Sequence, residues 1–226
     1  MRFALSNFTR DIITPEERGG HMVDKICNKL MCRVRAKMPE VDNQRAEVIR
    51  YGFELIIGEV PKLILMFILA FALGKLKYFL ISVAILCPYR TFSGGIHLKT
   101  HLGCFIGTNL LYLGNVYMSE WIICSNEYIK YIALILTCIF AVAMILLYAP
   151  ADTETVPILR KKDRAHKKIL SLLWITFVAL LAIIIKDRII SNMCIIGIIL
   201  QTLTITKLSY KLFNVKLGYL EYIKSL

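Results

Sequence analysis

Apolar residues along this chain follow two different rhythms. From Met22 to Met38 they fall at Val23, Ile26, Cys27, Leu30, Met31 and Val34, the spacing of one helix face, with Lys25, Lys29, Arg33, Arg35 and Lys37 filling much of the remainder. The pattern predicts a basic amphipathic helix, ended by Pro39, lying on an anionic membrane surface; a helix packed on a partner has the same pattern. Residues 1–21 before it are polar and broken by Pro15 and by Gly19-Gly20, without the apolar core of a cleavable signal peptide. Beyond Asp42-Asn43, apolar runs follow one another at roughly Phe53–Leu73, Tyr78–Tyr89, Cys104–Ile123, Tyr128–Tyr148, Ile169–Ile185 and Ile189–Thr206. They predict about six transmembrane helices. The first run contains Glu54, Glu59, Pro61 and Lys62, and the second holds only about 12 strongly apolar residues where a full span needs about 20. The expected fold class is all-α: a polytopic membrane protein with an N-terminal interfacial helix. Its expected divisions are a polar extension 1–21, a basic helix and linker 22–44, a transmembrane domain 45–210 and a cytoplasmic tail 211–226.

Composition strengthens this reading. With 57% hydrophobic residues against 19% charged and a mean hydropathy of +0.62, the 226 residues lack the polar surface a soluble domain requires. The net charge of +12 would suggest nucleic acid in a soluble protein, but here the placement of the cations matters more than their sum. Lys and Arg accumulate in cytoplasmic loops. With the N-terminus inside, 22 of the 28 fall inside and five outside (Lys75, Lys77, Lys130, Lys186 and Arg188), with Lys62 within a span. That asymmetry predicts a multi-pass cell-membrane protein with both termini cytoplasmic. Losing either of the first two spans would reverse the later loops and spoil it. Disorder, a disulfide-stapled secreted scaffold and a nucleic-acid partner are excluded. No internal repeat points to an inverted-repeat transporter.

The stretch from Cys87 to Cys104 interrupts the apolar half of the chain with Pro88, Arg90, Ser93, Gly94-Gly95, His97, Lys99, Thr100 and His101. Polar breaks at membrane depth are usually functional. His97 and Cys104 suit a general base and a nucleophile, because a thiol attacks a carbonyl as thiolate and an adjacent imidazole can make it one. On a straight helix seven residues turn through about 700° but rise about 10.5 Å, too far for a direct hydrogen bond. The Gly94-Gly95 turn must therefore break the helix, folding His97 back toward a Cys104 placed near a helix start, where the dipole favours thiolate. His101, three residues before Cys104, is the alternative base on a regular helix. The other cysteines read as packing residues, and two histidines with one cysteine lack a fourth metal ligand. Gly-Gly near Lys99 does not complete a P-loop, so neither a metal nor another cofactor is expected.

Arg90, Gly95-Ile96-His97 and Cys104, followed by Tyr148-Ala149-Pro150-Ala151 and Pro157, together resemble the accessory gene regulator B (AgrB) family over roughly residues 45–210. The resemblance implies a membrane-embedded cysteine endopeptidase of quorum sensing, with its active site at the cytoplasmic side. Such an enzyme cleaves the C-terminal part of a short amphipathic (AgrD-like) propeptide and retains the remainder as a thioester. An internal nucleophile then closes a thiolactone or lactone. By motif, His97 is the base and Cys104 the nucleophile, Arg90 and Gly95 match family positions, and Glu54 stands where the family can carry glutamine. The family also implies a homodimer. A lysine run that some relatives carry before the proline is absent here; Arg160, Lys161, Lys162 and Arg164 follow Pro157 instead. A non-proteolytic transporter or peptide exporter, with His97 and His101 relaying protons, is the alternative on the residues alone. A noncatalytic scaffold is a third.

Overall fold

The computed structural model describes residues 21–38, 42–96, 98, 101–122, 127–152, 158, 160–215 and 218. Among these the chain forms eight helices: α1 (His21–Lys37), α2 (Asn43–Ala72), α3 (Leu76–Ser93), α4 (His101–Trp121), α5 (Glu127–Tyr148), α6 (Lys161–Ile184), α7 (Arg188–Thr204) and α8 (Lys207–Leu212). His97, residues 1–20 of the extension and most of the tail 211–226 lie outside the described residues, as do the side chains of Glu54 and His101. The chain divides into two compact units, residues 1–72 with 99–105, and residues 73–98 with 106–226.

In the first unit α1 packs on α2. Cys27 and Met31 are buried and Val23, Leu30 and Val34 half-buried, while Lys25, Lys29, Arg33, Arg35 and Lys37 face outward. An amphipathic helix must cover its apolar stripe. Here protein covers most of it; of the six stripe residues only Ile26, at 41%, is exposed. α2 is 30 residues long and begins ten residues before the run expected at Phe53, because polar residues such as Gln44 and Arg45 sustain a helix as readily as apolar ones. Asp42 starts it, its carboxylate accepting the Arg45 N–H at 2.7 Å. Beyond Pro61, the exposed residues Leu63, Ile64, Leu65, Ile68 and Phe71 give α2 an apolar exterior.

The second unit is built around α7, which packs on α3, α5, α6 and α8. Ten of its 17 residues are buried, including Ser191, Asn192, Gln201 and Thr202. Gly197 leaves room for neighbouring helices; a Cβ there would stand 3.2 Å from Asn115 Nδ2 and 3.3 Å from Ile85 Cγ2. Polar side chains tie the helices: Ser82 Oγ donates to the Tyr112 carbonyl at 3.0 Å and accepts from Asn115 Nδ2 at 3.1 Å, while Trp174 Nε1 donates to the Ile85 carbonyl at 2.9 Å. At one end Asn192 Nδ2 donates to the Ile122 carbonyl at 2.7 Å and Lys75 pairs with Glu120 at 2.7 Å. The Glu120 hydrogen bond raises the Lys75 ammonium above its ordinary range.

Beside an apolar core of residues such as Ile85, Val116, Ile145, Val178 and Ile198, this unit buries several polar side chains and exposes many apolar ones. Ser82, Asn115, Ser119, Thr137, Ser171 and Gln201 are buried, whereas Leu110, Ile139, Leu147 and Ile184 are more than 60% exposed. So large an exposed apolar surface is unusual for a soluble protein and suits a chain solvated by lipid. By length and composition α5 and α6 are apolar enough to cross a membrane. α7 is apolar but only 17 residues long, and its burial among other helices relieves it of a lipid-facing composition. The basic segment expected as a loop before α6 is instead helical from Lys161, since Lys and Arg are good helix formers and the apolar run marks only the later part of the helix.

Candidate active site

The chain between α3 and α4 leaves helical geometry where the sequence requires it. α3 continues through Pro88 to Ser93, then Gly94 (φ +75°) and Gly95 (φ +140°) take positive φ values that other residues rarely adopt. Gly94 and Ala151 form an isolated parallel bridge: the Gly95 N–H donates to the Ala151 carbonyl at 2.9 Å and the Ala151 N–H to the Ser93 carbonyl at 2.8 Å. A Cβ on Gly94 would overlap the Ala151 carbonyl, and one on Gly95 would stand 2.6 Å from Thr204 Oγ1. The Ile96 N–H then donates to the Thr204 carbonyl at 3.2 Å. Residues 93–96 thus form a strap held by the segment after α5 and by the end of α7.

Side chains complete the fastening. Arg90, half-buried in the last turn of α3, donates from Nη2 to the Ile96 carbonyl at 2.7 Å. Gln201 Nε2 donates to the Gly94 carbonyl at 2.8 Å and to Ser93 Oγ at 3.2 Å, and Tyr89 shares a 2.8 Å hydroxyl bond with Thr202. Behind the strap, Asp152 is 5% exposed; its Oδ2 accepts from the Ile158 N–H at 2.9 Å and pairs with Arg164 at 3.1 Å. Arg164 also donates to the Pro150 carbonyl at 3.1 Å, and the Tyr210 hydroxyl donates to the Asp152 carbonyl at 3.1 Å. Burial, reinforced by the Asp152 charge, pushes the Tyr210 phenol above its ordinary range.

Cys104 is the fourth residue of α4, free and half-buried in the helix's first turn. It belongs to the first unit, whereas Arg90 and Gly95 belong to the second. His101 is the first residue of the same helix, at the i, i+3 spacing from Cys104. Glu54 lies on α2. Leu98, the residue after His97, reaches α4: its Cδ1 lies 3.1 Å from where a Cβ on Gly107 would stand, one turn beyond Cys104. Among the described residues, no three His, Cys, Asp or Glu side chains gather to hold a metal ion. The partners that secure the strap, Gln201, Asp152, Thr204 and Tyr210, are absent from the candidates read in sequence. A glutamine inside the run Ile189–Thr206 was the available signal, because a polar residue within an apolar span is seldom idle.

The family model for accessory gene regulator B matches residues 23–205. The chain belongs to the accessory gene regulator B family. The match begins at residue 23 and so takes in α1, which the motif resemblance over 45–210 left out. Similar curated proteins carry AgrB-like names. One from Clostridium acetobutylicum is 24% identical over 167 residues, covering 74% of this chain and 77% of that protein. One from Clostridium beijerinckii is 29% identical over 174 residues (74% and 81%), and one from Listeria welshimeri is 28% identical over 185 residues (78% and 83%). No solved structure matches the chain. Membership gives this AgrB protein a role in the accessory gene regulator system of quorum sensing. The two apolar helices are consistent with a membrane location.

Proposed function

We propose that this AgrB protein is a membrane-embedded cysteine endopeptidase that matures a quorum-sensing propeptide. His97 takes the proton of Cys104, the thiolate attacks a propeptide carbonyl, and the departing C-terminal peptide takes that proton from the imidazolium as its amide C–N bond breaks. The N-terminal part stays on Cys104 as a thioester. A thiol or hydroxyl within the same bound peptide then attacks it, releasing Cys104 and closing a thiolactone or lactone. Excluding water protects the thioester from hydrolysis.

The observation that carries this reading is the break itself. The chain turns at Gly94-Gly95, returns to α4 through Leu98 at Gly107, and starts α4 only three residues before Cys104, with His97 lying in sequence between Ile96 and Leu98. A helix start is also where backbone N–H groups favour a thiolate. Six crossings with both termini and the site on the cytoplasmic side agree with the cation asymmetry and with the alternating sense of helices in the second unit, whose Lys75–Glu120 and Asn192–Ile122 ties stand at the ends of α3, α4 and α7 opposite the strap. A homodimer and an amphipathic propeptide substrate complete the proposal.

Cleavage of the propeptide in membranes carrying Cys104→Ala, Cys104→Ser, His97→Ala or His101→Ala tests it. The account expects no cleavage with either Cys104 variant or with His97→Ala, and retained cleavage with His101→Ala. Unchanged cleavage by Cys104→Ala returns the chain to the transporter reading. The reverse outcome for the two histidines reassigns the base.

A further inference from the structure

Gln201 is fully buried yet polar, and it lies in the last turn of a helix whose other residues are mostly apolar. A buried amide is destabilising unless its hydrogen bonds are made; here the nitrogen makes them, while Oε1 is buried with no partner among the described residues. Its orientation is fixed by chemistry: the Gly94 carbonyl only accepts, so the nitrogen and not the oxygen must face it. Nε2 then also reaches Ser93 Oγ, which in turn donates to the Gly94 carbonyl at 3.3 Å. Both bonds fall where α3 stops and the strap begins. The space beside them is closed, since a Cβ on Gly95 would meet Thr204 Oγ1 at 2.6 Å and Gln201 Nε2 at 3.5 Å. The end of α7 is therefore a wall against which residues 93–96 are set, and His97 is the next residue.

Resting on the peptidase reading above, we infer that Gln201 is a positioning residue for the reaction: by donating to Ser93 and Gly94 it holds the strap from which the chain runs on directly to His97. It touches neither substrate nor the reacting atoms. Its effect belongs to the activation of the thiol and to the chemical step, not to substrate capture. Arg90, bonded to the Ile96 carbonyl, secures the same strap from the α3 side.

The test uses the full-length protein in proteoliposomes with a synthetic propeptide, comparing Gln201→Met, Ser93→Ala, His97→Ala and Cys104→Ala. Two quantities are read: kcat and KM for cleavage, and the pH dependence of Cys104 alkylation by iodoacetamide. Methionine keeps the volume of Gln201 and removes both donors. Gln201→Met is expected to lower kcat roughly tenfold or more with KM within about twofold, since small misplacements of a reacting group have effects of this size. It is also expected to move the pH profile of Cys104 alkylation toward that of the His97→Ala protein. Ser93→Ala, which removes one of the two acceptors, should move both quantities the same way by less. Should Gln201→Met not fold, Ser93→Ala decides alone. An alkylation profile like the wild type's in the folded Gln201 and Ser93 variants, alongside a shifted profile in His97→Ala, overturns the inference while leaving the peptidase intact. A rise in KM with kcat unchanged also overturns it. Cleavage by Cys104→Ala, by contrast, defeats the peptidase reading itself.

Discussion

The two ends of the second unit are fastened by different chemistry. At the strap end, main chain meets main chain: Gly95, Ala151 and Ile96 exchange bonds with segments more than fifty residues away, and buried Gln201 and Asp152 secure them. At the opposite end side chains do the work, with Lys75 paired to Glu120, Lys130 to Glu127 and Asn192 to the Ile122 carbonyl. The Lys75–Glu120 pair is partly exposed on both sides and tolerates rearrangement, because water can replace it. A buried main-chain junction does not, since each unmade bond leaves a desolvated polar group. The end that carries the proposed chemistry is thus the rigid one, as precise placement of a base requires.

Two glycines break this comparison most sharply. Gly94 and Gly74 both have positive φ (+75° and +66°), but a Cβ on Gly74 meets nothing within 4 Å whereas one on Gly94 overlaps the Ala151 carbonyl. Gly74→Ala is expected to cost only the left-handed strain, about 1–2 kcal/mol, with cleavage kept. Gly94→Ala adds the loss of two junction hydrogen bonds at roughly 1 kcal/mol each, and should abolish cleavage. Thermal unfolding in detergent with a cleavage assay checks both; equal effects would dissolve the distinction.

Removing Arg164 comes next. The Asp152 side chain is 1% exposed, so Arg164→Met leaves a buried carboxylate bonded to the Ile158 N–H without its cation, and should destabilise by about 3 kcal/mol. Lys75→Met should have the smallest effect. Because the folded Lys75 pKa is raised above its ordinary 10.5, the stability it adds is fully present below that value and lost as pH rises through the folded one. The difference between wild type and Lys75→Met in unfolding midpoint should therefore be constant from pH 7 to 9 and close above about 10.5; a difference that closes below 9 contradicts the pairing.

How much of this was legible in sequence follows from range. The helical runs were legible because apolar periodicity is local: Tyr128–Tyr148 was expected and Glu127–Tyr148 observed. The break after Ser93 was legible because Gly94-Gly95 permits a backbone that other residues resist, and the need for Cys104 near a helix start followed from the rise of a helix. Helix starts read from hydrophobicity were late, at Phe53 against Asn43 and at Ile169 against Lys161, since apolarity reports lipid exposure and helices extend past it. The strap's partners were not legible. Gln201 lies 107 residues from Gly94, and Tyr210 lies 58 from Asp152, so no local spacing joins them. α1 illustrates the remaining gap: its stripe was plain, but only the fold shows that α2 covers it.

Intact-mass analysis of the protein, quenched at acid pH soon after propeptide addition, would catch the acyl-enzyme itself. The account predicts an adduct on Cys104 equal in mass to the N-terminal part of the propeptide less one water, released by hydroxylamine and absent from Cys104→Ala. Cleavage that proceeds with Cys104 never acylated would contradict it.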